Sequence, residues 1–186
     1  VALSKANLTL TANSDTSKVY NGAEQSVSGF AITSGSLKGT DSAAVDLASI
    51  TAGAKRTDAG TTAATVNDTA YTNGNYAITK VDGSLVVAQK EVALSAAKTY
   101  DGGKTLTGSQ LAIATGVGTE TLNYTSATIN SKNVKDNSTN FVDAVALTDG
   151  TGKASNYKFT AARSASNTVA LSKANLTLTA NSDTSK

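Results

Sequence analysis

The sequence predicts a mainly β protein: two tandem, small antiparallel β modules in an elongated arrangement. Three observations predict it. Short runs of period two, rich in Thr, Val and Ile, recur at intervals of roughly 8 to 12 residues and are broken by Gly and Asn turns. The stretch VALSKANLTLTANSDTSK stands at Val1 to Lys18 and again, letter for letter, at Val169 to Lys186. Within the period so defined, Tyr20 recurs as Tyr100 and Asn75-Tyr76 as Asn156-Tyr157, at nearly equal spacing. The period therefore holds two related modules. The first is placed at 1–89 and the second at 90–172, with 173–186 the opening strand of a further, incomplete repeat. An immunoglobulin-like sandwich is the favoured form of each module and a β-grasp-like fold the alternative; the period of roughly 20 residues that marks a parallel β-helix is absent.

The elements follow in order. Leu8 and Leu10 alternate with Thr9 and Thr11, the pattern of a half-buried strand. It is expected to end in Asn13-Ser14-Asp15-Thr16, and Lys18-Val19-Tyr20 then runs into an Asn21-Gly22 turn. Val27, Phe30 and Ile32 form a second apolar patch. Ser42 to Ile50 reads as one or two helical turns capped by Asp41 or Ser42 and stopped by Thr51-Ala52-Gly53. After the Thr61–Val66 run, Asn75 to Val81 and Ser84 to Val87 flank Asp82-Gly83, which predicts a hairpin. At Lys90 the pattern restarts, and KEVALSAAKTYDG matches the opening through Gly22 with a shorter polar loop. Leu106, Leu111, Ile113 and Val117 are apolar positions of the second module, Glu120–Thr125 and Phe141–Leu147 its strands, Ser131–Asn140 a polar connection. Asp149-Gly150-Thr151-Gly152 is a turn, Tyr157–Thr160 the counterpart of Tyr76–Thr79, and NTVALSK leads back into the repeated stretch.

The composition excludes most chemistry. Cys, His, Met, Trp and Pro are absent, so neither a Ser-His-Asp nor a Cys-His arrangement exists, and no enzyme activity is expected. Sixteen basic and fourteen acidic residues are interspersed for a net charge of +2, which offers no basic stripe to nucleic acid. The longest apolar run, Leu85–Ala88, is far shorter than a bilayer span, so no membrane insertion by this segment is expected. The opening residues lack the order of a signal peptide, and the chain reads as an internal piece of a longer one.

The second module resembles a known family. LSAAKTYDGGKTLTG, GVGTETLNYTSATINSKNV and VALTDGTGKASNYKFT are similar to the YDG repeat of filamentous-haemagglutinin-type bacterial adhesins, and KVYNG with NYAITKVDGSLVV resembles the related MBG repeat. The ordered series Tyr100-Asp101-Gly102, Lys132-Asn133-Val134, Asp149-Gly150 and Asn156-Tyr157 carries the likeness. The first module departs from it with Asn21 in place of Asp and no counterpart of Lys132-Asn133-Val134. The resemblance implies a secreted, multi-copy protein of a Gram-negative bacterial cell surface.

The candidate residues are structural. Tyr20, Asn21, Gly22, Tyr76, Tyr100, Asp101, Gly102 and Tyr157 form a recurring turn and core motif, each Tyr expected to pack in its module and bond through its hydroxyl. No cofactor and no metal is expected. Asp143 and Asp149 are the nearest to calcium ligands, with Asp82 and Asp101 in similar Asp-Gly turns, but none has the spacing of a D-x-D-x-D-G loop. Lys18, Lys98, Asn75 and Asn156 recur in a way that permits an intramolecular Lys-Asn amide. Asn7, Asn67, Asn123, Asn137 and Asn175 sit in Asn-x-Ser/Thr sequons. The leading functional expectation is a stalk or spacer whose partners are neighbouring repeats of the same chain, with any host contact made by other regions. The alternative is that the modules themselves bind host glycan or protein by avidity.

Overall fold

The computed structural model describes residues 3–181. The chain is mainly β, in several small sheets compatible with the sandwich class. It divides into two compact units, Val1–Lys90 with Ser155–Tyr157, and Glu91–Ala154 with Lys158–Lys186.

In the first unit the opening strand β1 (Ala6–Ala12) turns Leu8, Leu10 and Ala12 inward, as its period of two dictates. The chain continues through β2 (Asp15–Val19), β3 (Gln25–Ser28), β4 (Phe30–Ser34), a single helical turn α1 (Ala43–Asp46), β5 (Thr51–Arg56), β6 (Gly60–Asn67), β7 (Tyr76–Val81) and β8 (Gly83–Ala88). One sheet has the order β4-β1-β7 and the other β2-β8-β6-β5-β3. Their apolar faces meet in a core of Leu8, Leu10, Leu47, Ile50, Val66 and Tyr76.

Two expectations change here. The hairpin at Asp82-Gly83 is not formed: β7 pairs with β1 in one sheet, whereas β8 pairs with β2 and β6 in the other. Gly83 is required for close approach, because a Cβ there would lie 2.4 Å from the carbonyl oxygens of Ala12 and Asn13. The polar stretch after Ala12 is likewise no loop, since Asp15–Val19 is β2, and β1 and β2 change sheet beside β7 and β8. The Ser84 N–H donates to Ser14 Oγ at 3.0 Å across that crossing. The one or two helical turns read over Ser42–Ile50 are a single turn, Ala43–Asp46, after which Leu47 and Ile50 enter the core and Thr51 begins β5.

In the second unit β10 (Ala93–Thr99) is antiparallel to β12 (Leu111–Ala114) and parallel to β16 (Asn167–Ser172). A second sheet of this unit runs β11 (Thr105–Leu106), β13 (Leu122–Ile129) and β14 (Val142–Asp149), all antiparallel. Leu94, Ala96, Leu106, Ile129, Val142, Val169 and Leu171 are buried. Between β8 and β10 lies β9 (Lys90–Glu91), which pairs with β15 (Tyr157–Lys158), a shorter strand than the Tyr157–Thr160 run predicts.

The expectation of purely antiparallel sheets is corrected by the parallel pairs β1·β7, β2·β8 and β10·β16. Each joins an early strand to a late one running in the same direction. Parallel neighbours need a long crossover, and the intervening strands supply it.

The repeated stretch meets two fates. In its first copy Leu8 and Leu10 are 1% and 0% exposed in β1; in its second, Leu176 and Leu178 are each 83% exposed and outside any strand. Its opening letters behave in the reverse way. Val169 and Leu171 are buried in β16, while Leu3 is 94% exposed. The two copies thus contribute different ends to strands: Val169–Ser172 of the second copy belongs to the closing strand β16, and Ala6–Ala12 of the first is the opening strand β1; residues 1–2 and 182–186 lie outside the described chain.

Replacing Leu10 with Ala should cost about 2 to 5 kcal/mol in urea unfolding, the usual range for a buried Leu. The matching Leu178→Ala change should stay within about 0.5 kcal/mol of the parent, as exposed sites do.

Candidate functional site: tyrosine turns and asparagine clamps

The Lys-x-Tyr-Asp/Asn-Gly turn ends a strand in each unit. The Tyr20 N–H donates to Ala88 O at 2.9 Å, and the Tyr100 N–H to Ser172 O at 2.8 Å, so both turns hang from the last residue of the closing strand. Asn21 Oδ1 accepts the Ala23 N–H at 3.0 Å and Asp101 Oδ1 the Gly103 N–H at 2.9 Å. A side-chain oxygen accepting from two residues on is the Asx turn, which explains why either Asn or Asp serves. Gly22 and Gly102 follow at φ 81° and 84°, a left-handed conformation that only glycine adopts freely.

The two lysines of this motif differ. Lys98 has a side chain only 1% exposed, and its ammonium meets Asp101 at 2.9 Å, Thr105 O at 2.7 Å and Gly103 O at 3.2 Å. A buried ammonium is tolerated because its donors are all engaged. Lys98 and the Gly103 N–H hold the Asp101 carboxyl below the usual range. Lys18 instead makes a more open pair with Asp15 at 3.3 Å, and Asp15 is lowered chiefly by hydrogen bonds from Ser17.

Tyr20, Tyr76 and Tyr157 are buried, whereas Tyr100 is 42% exposed. In the first unit Tyr20 and Tyr157 meet edge to face, with ring centroids 5.4 Å apart and planes at 80°. The Tyr76 hydroxyl donates to Asp41 Oδ2 at 2.6 Å and accepts the Lys38 N–H at 2.8 Å. The bond to Asp41, then burial, pushes the phenol above its ordinary value.

The sequence marks Asn137 as a sequon and Asn156 as a repeat landmark and amide candidate, and it singles out none of the asparagines as a backbone clamp. Asn167 accepts the Val142 N–H at 2.8 Å and donates to Val142 O at 2.9 Å and Thr160 O at 3.0 Å. Asn137 grips both backbone groups of Leu171, each at 2.8 Å, and Asn140 those of Ser131 at 2.9 and 2.7 Å. In the first unit Asn156 accepts the Ala59 N–H at 2.8 Å and donates to Asp58 at 2.9 Å. An amide offers a donor and an acceptor side by side, so it pairs with a residue's backbone as a strand would. No pattern in the letters separates such an Asn from one in a turn.

Asp143 and Asp149 lie on one strand, β14, at a sequence separation that puts them roughly 20 Å apart, too far to share an ion. Asp149 accepts the Ala154 N–H at 2.7 Å. Among the described residues no three His, Cys, Asp or Glu side chains gather as a metal site would need. Of the amide candidates, Lys18 and Lys98 are engaged with Asp15 and Asp101, and Asn156 with Asp58 and Ala59. The sequon residues Asn7, Asn67, Asn123 and Asn175 are exposed, while Asn137 is committed to Leu171.

Because Asp101 has a lower pKa folded than unfolded, its contribution to stability is present above the unfolded carboxyl value and fades as pH falls through the folded one. Thermal unfolding from pH 7 to pH 2 should therefore show a smaller loss of stability in Asp101→Asn than in the parent. Asn167→Ala, which strips the partner from a buried Val142 N–H, should cost about 1 to 3 kcal/mol in denaturant titrations, the cost of one unsatisfied buried group.

No family model matches this chain, and neither a curated protein nor a solved structure does.

Proposed function

We propose that the chain belongs to the tandem-repeat array of a large secreted bacterial adhesin, in which β modules of immunoglobulin-like form, in elongated order, act as a stalk that holds a separate binding domain away from the cell surface. The observation that supports this best is the division of the repeated stretch between a closing strand, β16, and an opening strand, β1. A stretch that ends one module and begins the next lets copies be added or lost without disturbing either, and each module then depends only on its neighbours. The likeness of the tyrosine turns to YDG and MBG repeats points the same way. The partners in this reading are neighbouring repeats, and host contact is left to other regions of the protein.

Chains of one, two and four full periods, measured by small-angle X-ray scattering, should gain the same increment in maximum dimension with each added copy. The single chain should show no saturable binding on a glycan array. Saturable binding there would overturn the stalk in favour of modules that bind by avidity.

A further inference from the structure

Tyr20 and Tyr100 occupy the same place in their units, yet one is 6% exposed and the other 42%. The backbone gives the reason. In the first unit the Tyr20 N–H is bonded to Ala88 O, and two residues beyond Ala88 stands Lys90, in the short strand β9 that pairs with β15. That pairing sets Asn156-Tyr157 beside Tyr20, where Tyr157 covers the ring edge to face and Asn156 is clamped by Asp58 and Ala59. In the second unit the Tyr100 N–H is bonded to Ser172 O, and two residues beyond Ser172 stands Ala174.

Among the described residues no strand pairs with Ala174. The groove beside it is lined by Tyr100, Asn133, Val134, Lys135 and Lys173 to Leu176. Its proper occupant is read from the other copy of the repeat. Ala6 is the letter-for-letter counterpart of Ala174; it pairs in parallel with Tyr76, and its N–H donates to Asn75 O at 2.9 Å. Superposing the two copies therefore puts an Asn-Tyr segment two residues past the carbonyl that holds Tyr100. That is the offset at which Asn156-Tyr157 meets Tyr20.

We propose that the Tyr100 groove is a docking site for the Asn75-Tyr76 segment of a second copy of this chain joined in tandem, with the exposed Gly74-Asn75 stretch of that copy laid against Tyr100 while its Tyr76 stays in its own core. The proposal deepens the stalk reading and rests on it, supplying the contact that would fix one repeat to the next. The opening strand of the added copy, begun at Lys173-Ala174, would carry its Asn-Tyr partner into place, so that covalent continuity and side-chain docking use the same residues.

A two-copy chain, residues 1–168 followed by residues 1–186, tests this when the second copy carries Tyr100→Phe and Tyr100 of the first copy is the reporter. Tetranitromethane nitration, followed by peptide mass spectrometry, should be about sevenfold slower at that Tyr100 than in the single chain, the ratio of 42% to 6% exposure. Slow nitration of Tyr76, 2% exposed in its own unit and carried by the same peptide in both copies, reports that both copies are folded. Inserting Gly-Ser after Lys5 of the second copy changes the two-residue offset and should restore fast modification of the first Tyr100. Equal rates in the single and two-copy chains overturn the proposal, as does protection that survives the insertion. Either result leaves the scattering increment and the glycan array to judge the stalk on their own.

Discussion

The parallel pairing of an opening strand with a late strand is the constraint on which each unit depends. β1 lies along β7 and β10 along β16, and in both cases the strand also holds an antiparallel partner on its other edge. The opening strand is thus the centre of its sheet, with partners along both edges and its inward side chains covered. Remove the partners and the same letters have nowhere to bury Leu. The second copy of ANLTLTA shows this within one chain, for its leucines are exposed where those of the first are buried.

The sheets are small, and the polar interior is correspondingly important. With 5% aromatic residues and no cysteine, neither bulky side chains nor disulfides supply much of the holding force. The second unit instead uses amides. Asn137, Asn140 and Asn167 each grip both backbone groups of one residue, Asn167 reaching Thr160 O as well, and Lys98 satisfies the carbonyls of a turn. Such groups add modest net stability when bonded, but they are costly to leave unpaired, so they specify one arrangement of the loops.

Much of the strand content was legible because period two survives in short runs, as in Leu8-Thr9-Leu10 and in Leu94-Ser95-Ala96. Pairing was less legible. Asp82-Gly83 carries the local chemistry of a hairpin, and what overrides it is the approach of the Ala12 and Asn13 backbone, contributed from the opposite end of the unit's sequence. The Asn21 and Asp101 turns could be read because their hydrogen bonds reach only to the second residue on. The asparagine clamps could not, because Asn167 and Val142 are far apart in the chain and either letter alone is ordinary.

By itself the sequence determined the β character of the chain, its long repeat period, the turn chemistry of Asn21-Gly22 and Asp101-Gly102, and the lack of any His or Cys for catalysis. These follow from local sterics, side-chain inventory and repetition, which need no partner. Only the tertiary structure decided which copy of ANLTLTA is a strand, which of Tyr20 and Tyr100 is covered, and where β1 and β7 give way to strands of the other sheet. Each of those outcomes depends on backbone groups and apolar surface brought from far along the chain. Identical residues therefore take different structures when their partners differ.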